Sequence, residues 1–475
     1  MTRKIVENGF CMGCGLCSSV LGHDKCQMKL ADNGFYYPIS DRDTEEEAII
    51  NEICPGIHVE DNRKHDVWGH VVEVAEAWST DKQLRHKAAS GGVSSALALY
   101  LLETHKVDGI LQVGVKENSF LYNELKVSKS REDIFNNAQS RYAPALTLSC
   151  LKQILDKDTS VYAYIGKPCD IAGIKNFVTC FPQYKDRIKY TISIFCAGMP
   201  SYNASRKTWE QSGRKDNPVF LKYRGEGWPG NFKAVWVDGQ SYEISYNDSW
   251  GKVLGRNLGF RCKICPDGIG MLADIAIGDS WNTKNGYPDF TEADGRNFCF
   301  IRSERGQQLL SQAVSGGYIE KRTLDVDKVK DIQAYQYGRR HIVGWRIMAA
   351  QITSNHMLKF NGLGLIILAF TVNLKRGFRE LLGTYKRAMK NKKDMKDICE
   401  NLHRGRLSEN SRRGVKLSSE PSSLKKCAPS ELTHCVKSNV LRSTIKPQSS
   451  SRTAWGGVKR FGQSVSPYSY NFKAA

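Results

Sequence analysis

Residues 161–178, VYAYIGKPCDIAGIKNFV, pass from a strand pattern to a helix pattern through a short loop. The apolar and aromatic run VYAYIG (161–166) predicts a strand. The run DIAGIKNFV (170–178) predicts a helix. Strands that alternate with helices indicate an α/β fold with a parallel sheet, and Cys169 lies where this strand ends.

The segments on either side continue the alternation. The predicted elements are a helix over 94–105, a strand over 109–115, a helix near 146–155 and a strand over 190–196 that ends at Cys196. We therefore expect a mainly parallel sheet with crossover connections. Residues 215–305 are richer in strands and turns, including FLKYRG, FKAVWV, ADIAIGDSW and FCFIRS, and predict an α+β annex.

A cysteine triplet opens the chain, in CMGCGLC (residues 11–17). The spacing of Cys11, Cys14 and Cys17 is that of bacterial-type ferredoxins, whose further cysteine ligand is followed by proline. Cys54-Pro55 supplies such a ligand, whereas Cys26, the alternative, has no proline after it. The pattern favours a 4Fe–4S cluster, although four thiolates also suit zinc.

A second set of cysteines lies in GKPCD, FCAGMPS and RCKICPDG. Cys169 and Cys196 follow predicted parallel strands, where α/β folds place their sites. Cys262 and Cys265 form a C-x2-C pair on one turn. These four thiols are candidates for a second metal site, but a lone pair of this type is as often a zinc or redox site, and single cysteines are often ordinary buried thiols.

The net charge of +20 is unevenly placed, because residues 401–475 hold 14 Lys or Arg against 3 Asp or Glu. That serine-rich stretch lacks apolar periodicity and predicts a disordered extension or a basic interaction tail. Without an apolar run of about eighteen residues or a secretory leader, we expect a cytoplasmic protein with no transmembrane segment. Fifteen cysteines in that compartment favour metal or redox chemistry over disulfides.

Six motifs occur in the order typical of one family: the triplet, Cys54-Pro55, SGGVSSAL (90–97), GKPCD, FCAGMPS, and CKICPDG with ADIAIGDSW. Over roughly residues 5–350 the sequence resembles the coenzyme F420 hydrogenase/dehydrogenase beta-subunit family, which includes 7-hydroxymethyl chlorophyll a reductase. The resemblance implies an iron–sulfur flavoprotein oxidoreductase with FAD and one or two 4Fe–4S clusters.

The resemblance also assigns site residues. It gives the first cluster to Cys11, Cys14, Cys17 and Cys54, and the second to Cys169, Cys196, Cys262 and Cys265. It gives FAD binding to Ser90, Gly91, Gly92, Ser140 and Tyr142. Lys87, just before the SGG motif, is a further candidate that could pair with a phosphate or with flavin N1, or could equally be a solvated lysine. A helix N-terminus at the glycines suits a pyrophosphate; SGG alone more often marks a turn with a helix cap, and the family context reverses that preference. No catalytic residue is indicated.

The expected organisation is a ferredoxin-like 4Fe–4S module on a mixed α/β flavin-binding domain. Its parts are the module (1–65), the flavin domain (70–200), a C-terminal domain with the second cysteine set (201–350), a basic helical segment (351–400) and a disordered tail (401–475).

The expected function is electron transfer between the clusters and FAD, with hydride exchange to a small acceptor or donor of the F420 type or of unknown identity. A redox partner protein is expected, and specific nucleic-acid binding is not. Two alternatives stay open: an electron-relay subunit without its own substrate, and a zinc-stabilised protein that binds nucleic acid or an acidic surface.

Overall fold

A computed structural model describes residues 2–40, 48–63, 66–117 and 119–404. The tail expected over 401–475 lies, from residue 405 on, outside these ranges. All the described residues belong to one compact unit. The division into five parts therefore stays a prediction.

The helices and strands of the described ranges have the following bounds. The helices are α1 (Thr2–Glu7), α2 (Leu16–Leu21), α3 (Ile49–Ile53), α4 (Lys82–Lys87), α5 (Val93–Glu103), α6 (Arg131–Asn136), α7 (Leu151–Lys157), α8 (Pro168–Cys180), α9 (Tyr202–Trp209), α10 (Phe260–Lys263), α11 (Glu304–Ser315), α12 (Val329–Ile332), α13 (Ala334–Thr353), α14 (Leu365–Ala369) and α15 (Leu374–His403). The strands are β1 (Cys26–Leu30), β2 (Tyr36–Ser40), β3 (His58–Glu60), β4 (Glu73–Ser79), β5 (Gly109–Lys116), β6 (Ser119–Ser128), β7 (Tyr162–Gly166), β8 (Ile188–Ile194), β9 (Phe220–Lys222), β10 (Phe232–Val235), β11 (Ser241–Ile244), β12 (Ile275–Asp279), β13 (Asn282–Lys284), β14 (Tyr287–Asp289), β15 (Asn297–Ile301), β16 (Ile319–Thr323) and β17 (Lys359–Asn361).

An eight-stranded sheet forms the centre, in the order β16-β4-β15-β12-β8-β7-β5-β6. Its middle strands β12, β8, β7 and β5 are parallel neighbours. Helix α8 joins β7 to β8 as a crossover, which confirms the strand-to-helix prediction at residues 161–178. The strands predicted over 109–115 and 190–196 and the helix predicted over 94–105 are also confirmed, as β5, β8 and α5.

The sheet is mixed, whereas the sequence predicted a mainly parallel one. Strand β6 pairs antiparallel with β5, and β15, β4 and β16 add antiparallel pairs on the other side. The physical reason is the connections: β5 turns directly into β6, and β12 reaches β15 through the β13–β14 hairpin without a helix. Strands joined without a crossover return antiparallel.

The annex is smaller than predicted. Strands β9, β10 and β11 form a separate three-stranded sheet. The motifs ADIAIGDSW and FCFIRS, assigned to the annex from sequence, instead supply β12 and β15 of the central sheet. They are buried strands, as their apolar runs require.

Helices cover both faces of the central sheet. On one face, α5 and α11 pack through residues such as Leu97, Leu101 and Leu310. On the other face, α7 and α8 pack together with the N-terminal segment, through residues such as Leu151 and Ile174. No helix in the described part of the chain has the length and apolar character needed to cross a membrane.

The carboxyl ends of the parallel strands meet at one edge. Cys169 follows β7, Cys196 follows β8, and Asp279 ends β12. Ligand sites of open α/β sheets lie at this edge. The sheet topology therefore places two of the sequence-predicted cysteines on neighbouring strand ends.

Asp274, just before β12, is a buried structural carboxylate. Its Oδ2 accepts hydrogen bonds from the Thr191 amide (2.9 Å) and hydroxyl (3.0 Å). Its Oδ1 accepts one from the Ser303 hydroxyl (2.7 Å). It thus joins β8 to the start of α11, which indicates a structural role for this carboxylate.

We expect Asp274→Ala to lower the free energy of unfolding by about 2 kcal/mol, because it leaves buried donors without an acceptor. Urea denaturation measures the change. Asp186→Ala, at an exposed carboxylate, is the control and should change stability by less than about 0.5 kcal/mol. Equal effects of the two substitutions would contradict the structural role.

Candidate functional site: two groups of four thiols

The N-terminal thiols converge on one loop. Cys11, Cys14 and Cys17 precede or begin α2, and Cys54 directly follows α3. The thiol of Cys11 interacts electrostatically with those of Cys17, Cys54 and Cys14. Burial, followed by these neighbours, raises the pKa of Cys11, Cys14 and Cys54, the last to about 12. Because burial opposes the thiolate forms, a bound cation would stabilise them.

Main-chain amides point at these sulfurs. The Gly13 amide donates to Cys11 Sγ at 3.4 Å, and those of Leu16 and Gly56 donate to Cys14 and Cys54. The turn needs glycine at residue 13, where φ is 69° and a β-carbon would lie 2.7 Å from the Tyr36 carbonyl oxygen. The loop is thus shaped to offer N–H groups to sulfur.

Cys26 lies beside this group. It is fully buried at the start of β1, and a hydrogen bond with its side chain is the largest cause that raises the pKa of Cys17. Cys54, in contrast, interacts with Cys11, Cys14 and Cys17. This arrangement is consistent with the prediction of Cys54 as fourth ligand.

The second set also comes together. The thiol of Cys196 interacts with those of Cys262 and Cys265, and that of Cys169 with Cys196 and Cys265. Burial is the largest cause that raises the pKa of Cys169, Cys196 and Cys262, that of Cys196 to about 12. The Met199 amide donates to Cys262 Sγ at 3.5 Å.

Buried side chains of α13 hold the loops of this second set. Arg339 donates to the carbonyl oxygens of Cys262 (2.6 Å) and Cys196 (3.3 Å). Gln336 donates to the Cys196 carbonyl at 3.0 Å. Burial opposes the charge of Arg339, but the thiols of Cys265, Cys196 and Cys262 contribute to raising its pKa. Arg339 therefore places a positive charge beside the second set.

A buried ion pair lies next to Cys169. Lys167 Nζ is 2.6 Å from Asp170 Oδ2, and Asp170 Oδ1 accepts a hydrogen bond from Thr147 at 2.9 Å. Burial opposes the charge of Lys167, but Asp170 raises its pKa. Burial is the largest cause that raises the pKa of Tyr164, and the charges of Asp170, Cys169 and Cys14 contribute. Tyr164 thus interacts electrostatically with one cysteine of each set.

Arg261 joins the two sets directly. Its Nε donates to the Gly56 carbonyl (2.6 Å) and its Nη2 to the Pro55 carbonyl (2.9 Å), just after Cys54. It precedes Cys262 in α10, and its charge lowers the pKa of both Cys54 and Cys262 against the opposing effect of burial. One guanidinium therefore favours the thiolate form of one cysteine in each set.

Within the described ranges, no three His, Cys, Asp or Glu side chains are close enough to hold a single metal ion. This criterion does not apply to a four-iron cluster, because each of its four ligands binds a different iron atom.

Two of the sequence-predicted flavin residues, Lys87 and Tyr142, lie beside the loop 223–230. A β-carbon at Gly225 would lie 2.7 Å from the Lys87 carbonyl oxygen and 3.2 Å from Gln139. The Tyr142 ring is 6.0 Å from the Tyr223 ring. Ser140 lies between Gln139 and Arg141, and Arg141 donates to the Leu221 carbonyl at 2.9 Å. The loop thus connects segments that lie far apart in sequence.

An ion pair anchors the same loop to the end of β12. Arg224 binds Asp279 through two hydrogen bonds of 2.8 and 2.7 Å, and Trp228 Nε1 donates to Asp279 at 3.0 Å. The rings of Trp228 and Trp281 stack on each other at 4.6 Å. Ser90 also interacts with Asp279 and contributes to lowering its pKa, which links the SGG motif to this network.

The SGG motif begins α5 and packs tightly against β15. Ser90 Oγ donates to the Arg296 carbonyl at 3.0 Å, and Asn297 Oδ1 accepts from the Val93 amide at 3.3 Å. A β-carbon at Gly91 would lie 2.8 Å from the Asn297 nitrogen. Protein packing alone therefore requires glycine at residue 91, so flavin binding there stays a prediction.

Sequence reasoning missed the arginines at this site. Arg261, Arg224 and Arg339 act through contacts 55 to 206 residues away. The one available signal was the position of Arg261 immediately before the C-x2-C pair.

We expect Arg261→Met to lower the free energy of unfolding by about 3 kcal/mol, because two buried carbonyls lose their donors. Hydrogen–deuterium exchange should quicken at residues 56–58 and around 262. Arg261→Lys, with a charge that cannot span both carbonyls, is the matched control and should give an intermediate effect. Unchanged exchange in Arg261→Met would contradict the bridging role.

We expect Asp279→Asn to destabilise the protein by about 3 kcal/mol at neutral pH, because Arg224 stays buried without its partner. Burial opposes the Asp279 charge, but Arg224 more than compensates and lowers the Asp279 pKa. This stabilisation is present above the unfolded-state pKa of about 3.9 and is lost as pH falls through the folded-state pKa. The difference in the free energy of unfolding between wild type and variant should therefore shrink below about pH 4.

Denaturation midpoints across pH measure the Asp279 effect. The control is Asp238→Asn, at an exposed carboxylate paired with Arg214, which should change stability little at any pH. A difference for Asp279→Asn that stayed constant with pH would exclude the charge as its cause.

Two family models match the middle of the chain. Residues 74–152 match the family model for the coenzyme F420 hydrogenase/dehydrogenase beta subunit N-terminus, and residues 159–327 match that for its C-terminus. The second cysteine set lies inside the C-terminal match. The N-terminal triplet and Cys54 precede both matches.

Three of the individual relatives are named as a hydrogenase subunit, a formate dehydrogenase subunit and a sulfite reductase. The beta subunit of coenzyme F420 hydrogenase from Methanococcus voltae is 26% identical over 54% of this chain and 86% of that protein. The beta subunit of F420-dependent formate dehydrogenase 1 from Methanococcus maripaludis is 28% identical over 51% and 59%. The coenzyme F420-dependent sulfite reductase of Methanocaldococcus jannaschii is 24% identical over 67% and 49%.

Among solved structures, a chain of the F420-reducing NiFe hydrogenase complex from Methanosarcina barkeri matches with a TM-score of 0.46 and 22% identity, over 58% of this chain and 92% of that chain. The two family models together span more than half of the sequence. The chain therefore belongs to the coenzyme F420 hydrogenase/dehydrogenase beta-subunit family.

Proposed function

We propose that this chain is an iron–sulfur flavoprotein that passes electrons between two 4Fe–4S clusters and FAD, with hydride exchange to a small acceptor or donor. The observation that carries the proposal is the arrangement of eight cysteines in two groups of four, with Arg261 between them. Two sites that share one buried cation lie close together, as electron transfer between them requires.

The first group suits a 4Fe–4S cluster. Main-chain amides donate hydrogen bonds to the sulfurs of Cys11, Cys14 and Cys54. Hydrogen bonds to the sulfurs tune the reduction potential of such clusters. Arg261 Nη1 is buried, and among the described residues it has no hydrogen-bond partner. A donor in that position suits an anionic cluster.

The second group suits the same chemistry through different elements. Cys169 and Cys196 come from adjacent strand ends, and Cys262 and Cys265 from one turn. Arg339 supplies positive charge beside them, which would offset part of the negative charge of four thiolates. Lys167 and Asp170 form a neutral buried pair next to Cys169, so they add no net charge.

The flavin site is proposed around the loop 223–230. Lys87, Gln139 and Tyr142 contact this loop, and Ser90 reaches it through Asp279 and Arg224. The Asp279–Arg224 ion pair would hold the loop over the flavin and limit the entry of water. FAD, when bound, accepts a hydride as two electrons and releases them singly.

The relatives suggest the class of substrate and partner. The similar proteins are named for coenzyme F420 as hydrogenase, formate dehydrogenase or sulfite reductase, and several are named as subunits. We infer that this chain exchanges a hydride with a deazaflavin-like or similar small carrier and works with a redox partner protein. These inferences rest on the family, since no residue described above is specific for a deazaflavin.

We expect the full chain, purified without oxygen, to contain about eight irons and one FAD, the content of two 4Fe–4S clusters and one flavin site. Cys54→Ser should lose about four irons, and Cys196→Ser should lose the other four, because each substitution removes one ligand of one cluster. Iron, sulfide and flavin assays with visible spectra measure the change.

Cys26→Ser is the matched control for the first group, because Cys26 is buried beside Cys17. It should keep the full iron content. Loss of iron in Cys26→Ser but not in Cys54→Ser would reassign the fourth ligand. A colourless protein with bound zinc would contradict the redox proposal, and turnover that required an added protein partner for every small acceptor would favour a pure relay subunit.

A further inference from the structure

The long helix α15 carries an exposed apolar stripe. The stripe consists of Leu374, Phe378, Leu382, Tyr385 and Met389. At 100° per residue these positions fall within about 80° of one another around the helix. Phe378 and Leu382 are 55% and 58% exposed. Contiguous exposed apolar side chains of this kind mark interaction surfaces.

Helix α14 extends the stripe. The rings of Phe370 and Phe378 both contact Trp345, at 5.8 and 5.5 Å. Ile366 lies one turn before Phe370 and is 76% exposed. The exposed apolar surface therefore continues from α14 onto α15.

The stripe is not the face that fixes α15 to the protein. The buried positions of the helix include Gly377, Thr384, Ala388 and Met395, which lie about 40° to 80° from the nearer edge of the stripe around the helix axis. At Gly377 a β-carbon would lie 2.4 Å from the Trp345 ring. The buried face that packs on α13 thus lies beside the stripe, and the Phe378 ring contacts its edge at Trp345.

Basic side chains line the other side of the stripe. Lys375, Arg379, Lys386, Lys390 and Lys393 are all exposed, and they occupy the arc directly beside the stripe. Residues 374–393 contain eight Lys or Arg and one acidic residue, Glu380. Glu380 is bound to Arg346 at 2.8 Å, so it does not neutralise this row.

We propose that α14 and α15 dock the protein on an anionic lipid surface. An apolar face beside a row of Lys and Arg is the pattern of helices that lie in the membrane interface. The stripe would enter the boundary between headgroups and acyl chains, and the basic row would contact lipid phosphates. Both helices lie beyond the two family matches, which end at residue 327, so the docking surface is an addition to the redox core.

Charge argues against two other occupants. The segment 401–475 has 14 basic and 3 acidic residues, so it would be repelled by the basic row. A second copy of the chain would bring the same basic row to the interface. An anionic lipid surface complements both the charge and the apolar character.

The test is flotation of the full chain with vesicles of phosphatidylcholine alone or mixed with phosphatidylglycerol, at low and high salt. We expect binding to the anionic vesicles that weakens with salt. The stripe variant Phe370→Ser/Phe378→Ser/Leu382→Ser should bind at least about tenfold more weakly, because it loses the inserted apolar area. Circular dichroism checks its fold.

Two controls separate the helix from other sources of binding. Val237→Ser changes a residue that is 87% exposed outside these helices, and it should bind as wild type does. Lys375→Gln/Lys386→Gln/Lys390→Gln should lose most of the preference for phosphatidylglycerol, whereas Lys215→Gln/Lys284→Gln, at exposed positions elsewhere, should keep it.

Three results would overturn the proposal. Equal binding of the stripe variant and the wild type would assign the attraction to other basic residues, such as those of the tail. Binding to neither type of vesicle would exclude a lipid surface and indicate that a protein partner covers the stripe. A wild-type chain that is dimeric in light scattering, with a monomeric stripe variant, would identify a second copy as the occupant.

Discussion

The hydrogen bonds from the Arg261 guanidinium to the Pro55 and Gly56 carbonyls are the contact on which the site depends. A buried guanidinium is costly unless its donors and charge are satisfied. Here main-chain carbonyls take two donors, the Phe360 ring lies 4.9 Å away, and the thiols of Cys54 and Cys262 face the charge. The N-terminal loop and the C-x2-C turn are therefore fixed relative to each other by one side chain.

Other buried arginines also bind main-chain carbonyls of loops near the sheet edge. Arg339 binds the Cys196 and Cys262 carbonyls, and Arg340 binds those of Val67 and Leu363. Arg302 binds the Trp68 and Ile269 carbonyls. Because five fixed donors allow one arginine to bind several carbonyls, irregular loops are held without regular secondary structure, as a site built from loops requires.

The sequence predicted what depends on neighbours along the chain. The passage from strand to helix at 161–178 and the spacing of the cysteines are local patterns, and β7, α8 and the triplet loop follow from them. The antiparallel strands β4, β15 and β16, and the contacts of Arg261, depend on residues that meet only in the folded chain. Such partners are set by tertiary packing, which a single sequence does not encode as a local pattern. The smaller annex has the same cause, since an apolar run does not specify which sheet it joins.

Native mass spectrometry of the full chain, purified without oxygen, tests the central claim most directly, because it counts bound groups on each intact molecule. The account predicts the 53.4 kDa chain with the added mass of two 4Fe–4S clusters and one FAD. A dominant species with a single cluster, or with zinc in place of iron, would contradict the claim that both groups of thiols hold electron-transfer centres.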